Sequence, residues 1–170
     1  EAMLIPLYLM ILYYGSDNRQ YAAIKFFIFT FFGSVFLLLA ICLIASSDVL
    51  PSVHGPFSLL NLHTLEIATW HRVLICAALV LAMGVKIPIW PVHSWLFHAH
   101  VQAPTSGSVL LAAILLKVGG YGLIRLLIPL SGSETLSIIL TLLYLGIFAI
   151  VYIGFVAIVQ EDMKKLVAYS

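Results

Sequence analysis

Long apolar runs, nearly empty of charge, constrain this chain more than any other feature. Residues 21–45, 106–127 and 134–159 are each long enough to cross a hydrocarbon core, which takes about 20 helical residues. In lipid every backbone polar group must be satisfied within the protein, so only helices and closed barrels span. Runs of this length without alternation are helical. Composition agrees: 63% of the 170 residues are apolar and 9% charged, where a soluble domain carries about a quarter charged. Mean hydropathy is +1.14. Too few charges remain to cover a water-facing surface. With Lys+Arg at 8 and Asp+Glu at 7, nucleic-acid binding and disorder are excluded. Cys42 and Cys76 lie inside apolar runs and read as unpaired core thiols, not a disulfide framework.

The spacing predicts an all-α polytopic membrane protein with about five transmembrane segments. Segment A covers Glu1 to Tyr14, and its apolar part is too short to span alone. B runs from Tyr21 to Ala45, with Lys25 near its end able to snorkel. A loop with Pro51, Gly55 and Pro56 follows, from Ser46 to Thr69. C begins near Trp70 and runs to Val85. It is expected to break at Lys86–Pro91, because Pro88 and Pro91 each remove a backbone donor. A second short helix is expected from Trp90 to His100. D covers Ser106 to Leu127, E covers Glu134 to Val159, and residues 160–165 form a polar connection. There is no initiator Met, and the last residues open another apolar run. Residues 1–170 therefore read as one transmembrane domain, a fragment of a longer subunit. If each segment crosses once, Arg19, Lys25, Lys164 and Lys165 share one side, opposite Arg72 and Arg125. The positive-inside rule turns the first side to the cytoplasm or matrix.

Three charges fall inside spans: Glu1, Lys86 and Lys117. At 1.5 Å per residue each lies roughly 15–20 Å below a span end, near mid-membrane. A charge at that depth costs on the order of 2.5–3.5 kcal/mol. Burial favours the neutral form and an opposite charge favours the ionised one, so a balanced lysine can load and release a proton. Lys86 has two open readings: proton carrier, or cap for carbonyls freed by the break with Glu1 as a static partner. Lys117 offers less to a capping role, since D is expected to be unbroken. Irregular backbone at membrane depth lies against protein or a wet cavity, and broken helices beside charges are characteristic of transporters. His93 and His100, seven residues apart on the expected short helix, are candidate proton relays, with His98 displaced from them. His54, His63 and His71 read as solvated. Arg125 reads as a snorkelling side chain. No metal-ligand spacing, phosphate loop or nucleophile triad is present.

The run Lys86-Ile87-Pro88-Ile89-Trp90-Pro91-Val92-His93-Ser94-Trp95-Leu96, then Ala99-His100-Val101-Gln102-Ala103-Pro104-Thr105, then residues 107–125 with Lys117-Val118-Gly119-Gly120-Tyr121-Gly122, closely resembles a known family. It is the antiporter-like membrane subunit, chain 4 or M type, of proton-pumping NADH:quinone oxidoreductase (complex I). The likeness runs nearly end to end and covers about a third of a family member. It implies part of an inverted-repeat antiporter-like fold, with two repeats of five helices. Glu1 matches the family's intramembrane glutamate, Lys86 its broken-helix partner and Lys117 the central relay lysine. His100 matches a polar residue beside the half-channel. The implied function is proton translocation coupled to remote quinone reduction, by a subunit of the enzyme that carries no redox chemistry itself. NADH, flavin, iron–sulfur clusters and quinone would lie elsewhere in the complex. Implied partners are other membrane-arm subunits and the lipid bilayer, with no nucleic acid. The membrane would be the mitochondrial inner or bacterial plasma membrane before the thylakoid. A sodium/proton antiporter subunit and a non-pumping scaffold are the alternatives. One departure stands out: Trp95-Leu96-Phe97-His98-Ala99-His100 replaces the family's Trp-Leu-Pro-Asp-Ala-His, exchanging proline for Phe97 and an acid for His98.

Overall fold

A computed structural model describes residues 2–46 and 67–170. Among these residues the chain is helical, with no strand. Helix α1 is Leu4–Tyr14, α2 Arg19–Ser46, α3 Thr69–Lys86, α4 Ser94–Gln102, α5 Thr105–Leu130, α6 Leu136–Ile158 and α7 Met163–Tyr169. Among the described residues four spans are long and apolar enough to cross a membrane: α2, α3, α5, and α6 together with the 3-10 turn that opens it. At 11 residues, α1 is about 16 Å long and too short to cross. Glu1, His54 and His63, and most of the expected loop, lie outside the described residues.

The expected break is present. Helix α3 ends at Lys86, and turns occupy the chain until α4 starts at Ser94. The second half-helix thus begins four residues later than the expected Trp90. Turns fill residues 90–93, so helical backbone is taken up only from Ser94. Segment D differs more. It is continuous from Thr105 to Leu130 but winds through two π turns, Leu111–Leu115 and Leu123–Leu127. The span is unbroken, as expected, but it is not a regular α-helix: each π turn rotates the following residues relative to an ideal α-helix.

Two clusters hold the helices together. One joins Leu7 and Ile11 of α1, Ala23 and Phe26 of α2, Trp95 and Ala99 of α4, and Leu111 of α5. The other joins Ala40 of α2, Ile75 and Leu79 of α3, and Leu127 and Leu130 of α5. Small residues bring backbones close, the usual device between helices in lipid. A Cβ on Gly33 of α2 would meet the Val85 side chain at 3.0 Å. Cys76 is buried, but Cys42 is exposed on the outside of α2, so only one of the two thiols belongs to the core. Helix α6 has no buried residue. It leans on the break through aromatic rings, Phe148 against Trp90 at 5.0 Å and Tyr152 against His93 at 6.4 Å.

Candidate functional site

The last four carbonyls of a helix have no intrahelical partner, and lipid supplies none. At the end of α3 three of these are already taken. Met83 O accepts from Ile87 N–H at 2.8 Å and Gly84 O from Ile89 N–H at 2.9 Å. Val85 O accepts from the Trp95 indole N–H at 3.0 Å. Trp95 is fully buried, with its ring 5.6 Å from that of Phe26, so this donor is fixed. The capping reading of Lys86 therefore loses most of its carbonyls. The half-buried Lys86 instead lines a cavity of about 120 Å³ with Met3, Leu4, Thr30, Ile114, Leu115 and Val118. Thr30 is fully buried and its hydroxyl donates to Phe26 O at 2.7 Å. Among the described residues no carboxylate forms an ion pair with Lys86; the expected partner, Glu1, lies outside them.

Helix α5 meets the break at Gly119. A Cβ there would lie 2.7 Å from Ile87 Cγ1, 3.0 Å from Lys86 Cβ and 3.2 Å from Ile87 N, so the hydrogen side chain permits this approach. Two residues span about 3 Å of helix, which puts Lys117 and Lys86 at similar depth, as the sequence implied. Residues two apart do not share a helix face, and Lys117 is exposed, while its neighbours Ile114 and Val118 line the Lys86 cavity. The π turn Leu111–Leu115 ends just before this stretch.

The histidines separate. His93 precedes α4 instead of riding on it, and its Nδ1 is buried without a partner. It lines a cavity of about 260 Å³ with Ile87, Pro88, Leu116, Phe97, Ile153 and Tyr169. His100 lines another, of about 340 Å³, with Ser108 and Lys164. The expected shared face of His93 and His100 is therefore not formed, because the helix begins after His93. His98 faces a third cavity and α2, where Lys25 reaches it; Lys25 does not simply run to the interface. Thr30, Trp95 and Lys25 were not singled out as site residues from the sequence. The Trp95 role had one legible signal, an indole a few residues past a proline break. Among the described residues no three metal-ligating side chains come together. The opposite end carries the pair Arg72–Glu134 at 3.6 Å.

A family model described as "NADH:quinone oxidoreductase/Mrp antiporter, TM" matches residues 1–170. NADH-quinone oxidoreductase subunit M of Rickettsia felis is 48% identical over the whole chain, which covers 34% of that protein. NADH-ubiquinone oxidoreductase chain 4 of Marchantia polymorpha is 42% identical, again over the whole chain and 33% of the relative. The chain thus spans about a third of the length of these relatives. A chain of respiratory complex I from Thermus thermophilus with bound NADH superposes with a TM-score of 0.86 at 30% identity, over 99% of this chain and 35% of that one. A chain of an archaeal membrane-bound sulfane sulfur reductase reaches 0.85 at 22% identity, a likeness of fold alone.

Proposed function

From the premise that the chain belongs to the NADH:quinone oxidoreductase/Mrp antiporter transmembrane family, we propose that it moves protons across the membrane within the membrane arm of an NADH:quinone oxidoreductase. The chain is an integral membrane protein of the bacterial plasma or mitochondrial inner membrane type. Residues 1–170 would form one proton-translocating domain working beside other membrane-arm subunits. NADH, flavin, iron–sulfur clusters and quinone belong, on this reading, to the rest of the complex.

The observation that carries the reading is Lys86. Its helix ends at a break where three of the four freed carbonyls are met by Ile87, Ile89 and Trp95, which leaves the amine little capping to do. It faces a small cavity that holds a buried hydroxyl. Desolvation favours the neutral amine and a nearby carboxylate the ammonium, and Glu1 is the carboxylate proposed for that role. Moving the counter-charge then loads or unloads Lys86. Lys117, exposed on α5, takes the proton onward and alternates between charged and neutral. His93 and His100, in separate cavities, serve as independent relay points.

The test uses the complete complex in reconstituted vesicles. Lys117→Ala is expected to abolish most proton translocation and slow coupled quinone reduction while the complex assembles. Lys117→Arg is expected to be nearly as poor, because guanidinium does not release its proton. Pumping is expected to be independent of sodium. Parental pumping by the alanine variant would overturn the reading, and sodium-dependent proton movement would move it to the antiporter class.

A further inference from the structure

Phe97 and His98, the two positions that depart from the family pattern, both face Lys25. The Lys25 ammonium lies 5.8 Å from the Phe97 ring centroid and 5.5 Å from that of Tyr21, inside the range of a cation–π contact. It also lies 3.4 Å from His98 Nδ1. That same nitrogen is 2.8 Å from Ser94 O. One imidazole nitrogen cannot serve both partners in one state. Without a proton, Nδ1 accepts from the Lys25 ammonium. With one, it donates to Ser94 O or to the lone pair of a neutral Lys25 amine. The charge of Lys25 and the tautomer of His98 are therefore coupled by geometry.

His98 also lines a cavity of about 500 Å³ at the basic end of the molecule, with Asn18, Gln160, Lys165 and Tyr169. Among the described residues no carboxylate lines it. Among the described residues the charged and titratable groups facing the pair are Tyr21 from α2, His93 at the break, which feels the Lys25 charge, and Lys165 and Tyr169 from α7, while Lys164 turns toward the His100 cavity. Phe97 stacks on Tyr169 at 5.1 Å, and these two rings line both this cavity and the inner one that holds His93. The pair thus stands at the outer face of an aromatic partition.

We propose that Lys25 and His98 form a proton-loading pair that takes protons from the basic side of the membrane, a step that rests on the translocation reading above. Uptake adds one proton from water to His98 Nε2 and passes the Nδ1 proton to the Lys25 lone pair. One N–H bond forms on each residue, the Nδ1–H bond breaks, and the net gain is a single positive charge on Lys25. Release reverses these steps. Imidazole suits the exchange because it can take a proton on one ring nitrogen while giving one up from the other.

The experiment compares His98→Asp with His98→Asn in the whole complex in vesicles, with Lys117→Ala beside them and rates normalised to assembled complex. Asp and Asn are alike in size, so any loss of the Ser94 bond or of ring contacts is shared. Only Asp offers Lys25 a proton-carrying partner. The Asp variant is expected to pump several-fold faster than the Asn variant. The acid limb of its pH profile is expected to move below that of the parent, since a carboxyl group ordinarily titrates well below an imidazole. Equal rates and equal pH profiles for Asp and Asn would overturn the proposal. If Lys117→Ala also pumps normally, the functional reading fails as well. If it is silent while Asp and Asn agree, the loading pair alone is wrong.

Discussion

Replacing Trp95 by Phe tests how the break is held. The ring remains, so most of the packing against Phe26 and Ala99 is kept, but the indole N–H is lost. Val85 O, now served at 3.0 Å, becomes an unpartnered carbonyl in a fully buried setting. Leaving such a group unmade costs about 1–3 kcal/mol, and no water is at hand in the bilayer interior to restore it. A local opening equilibrium shifts by about 5- to 150-fold for that energy. Amide hydrogen exchange reads this directly. The Ile87 and Ile89 amides, bonded to Met83 O and Gly84 O, are expected to exchange faster by that factor, while amides in the middle of α2 are unchanged. The freed carbonyl also competes for the adjacent Lys86 ammonium, so pumping is expected to fall. Parental exchange at Ile87 and Ile89 together with parental pumping would refute the account of the break as a structure closed by Trp95.

Two further outcomes are expected. Gly119→Ala places a methyl group 3.0 Å from Lys86 Cβ and 3.2 Å from Ile87 N, atoms that cannot swing aside. It is expected to destabilise the α5–break contact by about 1–3 kcal/mol, seen as lower yield of assembled complex and earlier loss of pumping on heating, whereas Gly120→Ala, open within 4 Å, is tolerated. Glu134→Gln removes a pair measured at 3.6 Å whose glutamate side chain is 41% exposed; the stability change is expected to stay below about 1 kcal/mol, checked by thermal denaturation of the complex.

Much of the architecture was legible in the sequence because lipid leaves few options. Runs of about 20 apolar residues must be helices, and two prolines beside Lys86 must stop one. Periodicity does not register a π turn, so the winding of α5 was not visible. Gly119 meets the break, and Lys117, two residues before it, lies on a different face of α5 and is exposed, although both lysines stand at one level. The start of α4 shifted for a similar reason: the turns at 88–93 consume His93, and the seven-residue spacing to His100 lost its helical meaning. Depth along a span is a count of residues and can be read from the sequence. Direction around a helix depends on local winding and on which neighbour comes closest. Lys25 and His98, 73 positions apart in the chain, are brought to one nitrogen by packing of α2 against α4. Sequence thus determined the order of the charges along the spans and their spacing from the span ends, and tertiary structure decided which of them meet.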